Sequence, residues 1–129
     1  MKAPTTWRLS LFAIAMTVLI ACAAATAWAH SFPEAQNPAA GQVLTTPPAE
    51  VTIRYDAAIE KLFATLEVLD SNGKNRAAGG PQVSTDGRTL SVKLAPLGPG
   101  EYKVRWAVLG IDTHRTQGSY TFTIAAKGG

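Results

Sequence analysis

Apolar and polar residues alternate in short runs along most of this chain. Val51-Thr52-Ile53-Arg54-Tyr55 puts Val51, Ile53 and Tyr55 on one face and Thr52 and Arg54 on the other. A period of two marks a half-buried strand, because successive side chains point to opposite faces of a sheet. The same period runs through residues 63–69, 89–94, 102–108 and 119–124. It is most regular where Tyr102, Val104, Trp106 and Val108 oppose Lys103, Arg105 and Ala107. Residues 82–85 read as a weaker strand. Residues 31–36 read as an extended piece that Pro33 and Pro38 keep from being helical. Residues 56–62 are open between a loop and a short helical turn.

Reversals fall between these runs. Asn37-Pro38-Ala39-Ala40-Gly41, Asn72-Gly73, Asp86-Gly87 and Gly98-Pro99-Gly100 carry residues that favour turns. Residues 110–118 read as a loop of about nine residues before the last strand. About seven short strands, turns every 8–12 residues and no convincing helix predict an all-β, antiparallel Greek-key sandwich.

The first thirty residues break this pattern. Lys2 and Arg8 precede an apolar run at 9–20, and small residues follow up to Ala27-Trp28-Ala29. The apolar run of 12 residues is shorter than the ~20 a spanning helix needs. A basic start, an apolar centre and an A-x-A ending form an export signal. The expected organisation is a cleaved signal peptide over 1–29 and one β-domain over 30–129, released into the periplasm as a soluble monomer. Leu19-Ile20-Ala21-Cys22 is an overlapping alternative, because it resembles a bacterial lipobox in which the cysteine becomes a lipidated terminus.

Removing the leader changes the composition. The chain is +3 overall, but Lys2 and Arg8 leave with the leader, so ten basic residues face nine acidic ones. No basic run with interleaved aromatics remains, which argues against nucleic acid as a partner. Cys22, Met1 and Met16 are the only sulfur-bearing residues and all lie in the leader. The domain must therefore be stable without a disulfide. It offers no thiolate or thioether ligand, which excludes a soft Cu(I) site.

The candidate chemistry sits on two histidines, the only ones in the chain. Cleavage after Ala29 makes His30 the first residue, so its α-amine and imidazole can close one chelate ring on a metal. His114 follows Asp112 by two residues in the loop before the last strand. An α-amine titrates near ~7.7–8.0 and an imidazole near ~6.5, so both can yield a proton to a metal at neutral pH. A set of three nitrogens and one carboxylate oxygen suits tetragonal Cu(II). The plainer readings are a solvated loop histidine and an aspartate that bonds local backbone N–H groups.

Several segments together resemble the CopC/PcoC family of periplasmic copper-resistance proteins. They are the opening His30-Ser31-Phe32, Asn37-Pro38-Ala39-Ala40-Gly41, Pro47-Pro48-Ala49-Glu50-Val51-Thr52-Ile53-Arg54-Tyr55, Pro96-Leu97-Gly98-Pro99-Gly100-Glu101-Tyr102-Lys103-Val104-Arg105-Trp106, and Asp112-Thr113-His114-Arg115-Thr116-Gln117-Gly118-Ser119-Tyr120-Thr121-Phe122-Thr123-Ile124. The resemblance covers residues 30–124 in consistent order. It implies an Ig-like sandwich or barrel and a copper carrier or buffer acting in copper resistance and homeostasis. It implies His30, Asp112 and His114 as metal ligands, Cu(II) as the metal, and an inner-membrane copper transporter as a partner. The family usually reads Asp-Gly-His where this chain has Asp112-Thr113-His114, and a threonine is penalised there if that residue has positive φ. Some members also carry a Met-rich Cu(I) site, which this chain lacks. No catalytic residue is expected. Two other readings are a copper redox enzyme built on an N-terminal histidine brace, and a metal-free Ig-like interaction module.

Overall fold

The computed structural model describes residues 31–128. Eight strands form two four-stranded sheets. In chain order they are β1 (Pro33–Asn37), β2 (Val43–Leu44), β3 (Glu50–Tyr55), β4 (Thr65–Leu69), β5 (Gln82–Val83), β6 (Thr89–Lys93), β7 (Gly100–Leu109) and β8 (Arg115–Ile124). One sheet runs β1-β3-β6-β5 and the other β2-β8-β7-β4, so the chain crosses repeatedly between layers. This is the all-β Greek-key sandwich that the alternation predicts. One pairing departs from the antiparallel rule: β2 lies parallel to β8, with Val43 opposite Thr123 and Leu44 opposite Ile124.

The inward faces are those that the sequence marks. Val51, Ile53 and Tyr55 of β3 and Leu90 and Val92 of β6 face Leu66, Val68, Val104, Trp106, Val108, Tyr120, Phe122 and Ile124 of the other sheet, all buried. Each such side chain contributes roughly 1.5–3 kcal/mol on burial. Phe122 stacks on Tyr102 with ring centroids 5.5 Å apart, and Tyr55 meets Trp106 edge-on at the same separation. The hydroxyls of Tyr55 and Tyr120 are buried without a hydrogen-bond partner among the described residues. Burial raises both phenol pKa values far above the usual range, and the neighbouring Tyr120 adds to the rise at Tyr55.

Three expectations are corrected. The loop after β7 spans five residues, not nine, because β8 begins at Arg115 and Leu109 pairs with Arg115. Gly118 reads as a loop residue but is a strand residue opposite Trp106. A Cβ there would lie 2.8 Å from Trp106 Cζ2, so the indole fills the space that any other side chain would need. Phe63 closes a 3-10 turn over Lys61–Phe63 rather than opening β4, so the short helical turn left open over 56–62 is the one that forms. The two-residue strand β2 went unpredicted, because a pair of residues carries no period.

The registers gather one end of the sandwich. Pro33 opens β1 opposite Tyr55, which closes β3. Thr65 opens β4 opposite Ala107 near the end of β7. The chain therefore enters the described structure at the end that carries the β7–β8 loop.

Candidate metal centre

The β7–β8 loop is tied into a fixed shape by its own backbone. Gly110 N–H donates to His114 C=O at 2.9 Å, and Thr113 N–H donates to Gly110 C=O at 2.9 Å. Thr113 is the one non-glycine residue among those described with positive φ, at 73°. The turn is thus kept with a β-branched residue in the left-handed region, at a strain cost of roughly 1–2 kcal/mol. Thr113→Gly should relieve that strain and lose part of the gain to chain entropy. The expected net effect is about 0.5–1 kcal/mol of added stability, or a Tm rise of a few degrees in a calorimetric scan.

Asp112 and His114 meet within this turn. Asp112 Oδ1 accepts the His114 backbone N–H at 3.1 Å, and Oδ2 lies 3.1 Å from His114 Nδ1. The plain reading of Asp112 as a turn-bonding residue therefore holds. An ionised carboxylate beside Nδ1 keeps the ring proton there and leaves the lone pair on Nε2, the atom a metal would take. The His114 ring is exposed, while Asp112 is more sheltered. Strand alternation does not bring the two side chains together, since both lie in the loop. The turn does.

Residues that the sequence did not mark fix this loop against the start of the domain. Ser31 is 1% exposed, the only polar or charged residue buried in the described chain. Its Oγ donates to Ala58 C=O at 3.2 Å, and its own C=O accepts from Thr116 Oγ1 at 2.7 Å. Ile111 N–H donates to the same Ala58 C=O at 3.2 Å. Gly110 sits between the two parts. A Cβ on it would be 2.5 Å from Asp112 Oδ1 and 2.9 Å from Ser31 Oγ. Phe32 is held next to them, its N–H donating to Asp56 Oδ1 at 2.8 Å and its C=O accepting from Asp56 N–H at 3.0 Å. A serine two residues after Ala29 carries no pattern that would mark it as buried.

A hollow of about 300 Å³ lies beside His114, lined also by Phe32, Arg115, Thr116 and Gln117. A larger one of about 480 Å³ lies across β4, β7 and β8 over the Glu67–Arg105 ion pair and holds no histidine. His30 lies outside the described residues. Among those described, no group of three or more His, Cys, Asp or Glu side chains could hold a metal, so Asp112 and His114 are a partial set.

The model of the CopC domain family matches residues 34–125. The chain belongs to the CopC family. It is 32% identical over 99 residues to protein YobA of Escherichia coli K12, covering 75% of this chain and 80% of that protein. It is 26% identical over 106 residues to the copper transport protein CutJ of Bacillus subtilis, covering 81% of this chain but 20% of that much longer protein. Among solved structures, CopC from Methylosinus trichosporium OB3b superposes with a TM-score of 0.72 at 29% identity, covering 78% of this chain and 98% of that one. PcoC, a methionine-rich copper resistance protein of E. coli, superposes at 0.65 with 22% identity over 74% of this chain and 99% of its own, a likeness of fold.

Proposed function

We propose that this CopC-family chain is exported to the periplasm, cut after Ala29, and binds one Cu(II) ion through the His30 amine and imidazole together with Asp112 and His114. It acts there as a carrier or buffer in copper homeostasis, passing the ion to an acceptor such as an inner-membrane transporter. The relative named for copper transport supports the metal. The absence of sulfur ligands downstream of the leader supports the oxidised ion.

The observation that carries this reading is the burial of Ser31 against the ligand loop. A residue bonded to Ser31 begins about 3.8 Å from its Cα. Ser31 and Asp112 both crowd Gly110, which supports a terminal histidine as a ligand partner for the Asp112 carboxylate. The charge count agrees, since one carboxylate offsets half of the ion's charge and leaves a complex that anionic groups can approach. Binding without turnover is the consistent role, because a carboxylate among the ligands would leave the ion less open to dioxygen.

Titrating metal-free mature protein with Cu(II) should give one tight equivalent and a tetragonal EPR signal with nitrogen hyperfine structure. A protein that takes up no copper tightly contradicts the reading. Asp112→Asn keeps an acceptor for the turn but loses the charge. It should weaken Cu(II) by ~10–100-fold, an effect of the size seen when a group supporting a metal site is lost. Its Tm should stay close to that of the parent.

A further inference from the structure

The Ser31–Phe32 peptide is held from both sheets. Its carbonyl accepts from Thr116 Oγ1 of β8 at 2.7 Å, and its N–H donates to Asp56 Oδ1, just past β3, at 2.8 Å. Asp56 N–H returns a bond to Phe32 C=O at 3.0 Å, so the aspartate holds Phe32 at both ends. One step toward the chain start, the Ser31 side chain is buried and its Oγ donates to Ala58 C=O. The Cα, Cβ and carbonyl carbon of Ser31 are thus all fixed. Tetrahedral geometry then sets where its nitrogen lies, and with it the bond from residue 30. A single bond at a strand end does no more than limit fraying. Two bonds on one peptide, from opposite layers, fix a direction.

The backbone around Asp56 is braced for this contact. Pro33 lies opposite Tyr55 but Ala35 opposite Arg54, so Glu34 is an extra residue in β1. Such a bulge bends the strand and re-aims the chain beside it. The Glu34 carboxylate lies 3.5 Å from Arg54 Nε and 3.5 Å from Arg88 Nη2. Arg88 in turn donates to Tyr55 C=O and Asp56 C=O. One guanidinium therefore ties the bulge to the backbone that carries Asp56. Pro33 has no N–H to give, so the first donor upstream of it is that of Phe32, the one Asp56 takes.

We propose that Asp56 and Thr116 are positioning residues for the metal centre, a clamp that aims the chain start so that a terminal His30 meets Asp112 and His114. Neither is itself a ligand. The role rests on the reading of His30 as first residue and ligand. Apparent affinity scales with the fraction of molecules already in the binding-competent arrangement. Loosening the peptide lowers that fraction and removes no ligand. Losing a group that orients a ligand in this way costs ~10–100-fold in metal affinity.

Asp56→Ala removes the acceptor and Thr116→Val removes the donor. Each should weaken Cu(II) binding by the mature protein about tenfold in competition titration, and the EPR spectrum should split into more than one species. Asp56→Asn keeps an oxygen for the Phe32 N–H and loses only an exposed, screened charge, so its affinity should stay within about threefold of the parent. Amide exchange in the metal-free protein reads the clamp directly. The Phe32 N–H should be protected in the parent and in Asp56→Asn, and should exchange freely in Asp56→Ala. The Tm of each variant should stay close to that of the parent, because Asp56 is exposed and neither side chain belongs to the core. An Asp56→Ala protein that binds as tightly, with one EPR species, overturns the proposal. So does an Asp56→Asn protein that falls as far as Asp56→Ala, since charge would then be the cause, and so does a Phe32 amide that exchanges freely in the parent. A parent that takes up no copper defeats the metal reading and the clamp's role together. A parent that binds while both Asp56→Ala and Thr116→Val match it defeats the clamp alone.

Discussion

One residue added before His30 should lower Cu(II) affinity by at least ~100-fold, more than the loss of a supporting contact. The added residue moves the α-amine away from the ring and breaks the chelate that amine and imidazole form together. A hundredfold loss is about 2.7 kcal/mol, large against the rim and loop effects expected elsewhere in this protein. The fold should not change, because the addition lies beyond Ser31 and its bonds to Ala58 and Thr116. Competition titration against a chelator of known affinity measures the loss, and the EPR parameters should move with the change in ligand set. An extended protein that binds as tightly and gives the same spectrum would place the site elsewhere. His114→Ala in the same titration marks the size of a lost imidazole.

The second large effect is expected at two glycines that are crowded for different reasons. Gly110→Ala places a methyl group against Asp112 Oδ1 and Ser31 Oγ, at 2.5 and 2.9 Å. Either the carboxylate or the buried serine must move, and both belong to the arrangement that brings the loop to the start of the domain. Copper affinity should fall ~10–100-fold, and stability should fall by about 1–3 kcal/mol, the usual range for overpacking. Gly118→Ala meets the Trp106 ring at 2.8 Å and should cost a similar amount of stability. It lies on the inward face of β8, away from the loop, so its copper affinity should match the parent. Equilibrium denaturation and copper titration on the pair separate the two roles. If Gly118→Ala lost copper as severely as Gly110→Ala, the loss would come from general destabilisation and the local account of Gly110 would fail.

The strands were readable because their inward faces alternate strictly. In β7, Tyr102, Val104, Trp106 and Val108 are buried, and Lys103 and Arg105 are exposed, as the period demands. The first half of β8 was not readable for a local reason. Arg115, Thr116 and Gln117 carry no apolar alternation, and Gly118 looks like a turn residue until Trp106 is seen to occupy its side-chain space. The site was legible in part. Asp112 and His114 come together through a turn that uses Thr113 in a glycine-like conformation rather than through strand alternation. Ser31, Gly110 and Thr116 were invisible in sequence because their roles arise from contacts between residues up to 85 positions apart. No pattern along the chain records such a contact. His30 is in a different position: its sequence context argues for it, and it lies outside the described residues.

The central claim is that the protease releasing the domain also creates its first metal ligand. Native mass spectrometry of protein recovered from the periplasm of copper-supplied cells tests terminus and stoichiometry together. The account predicts a chain beginning at His30 and carrying one copper ion. A chain beginning at acylated Cys22, or a chain beginning at His30 that is recovered without copper, would contradict it.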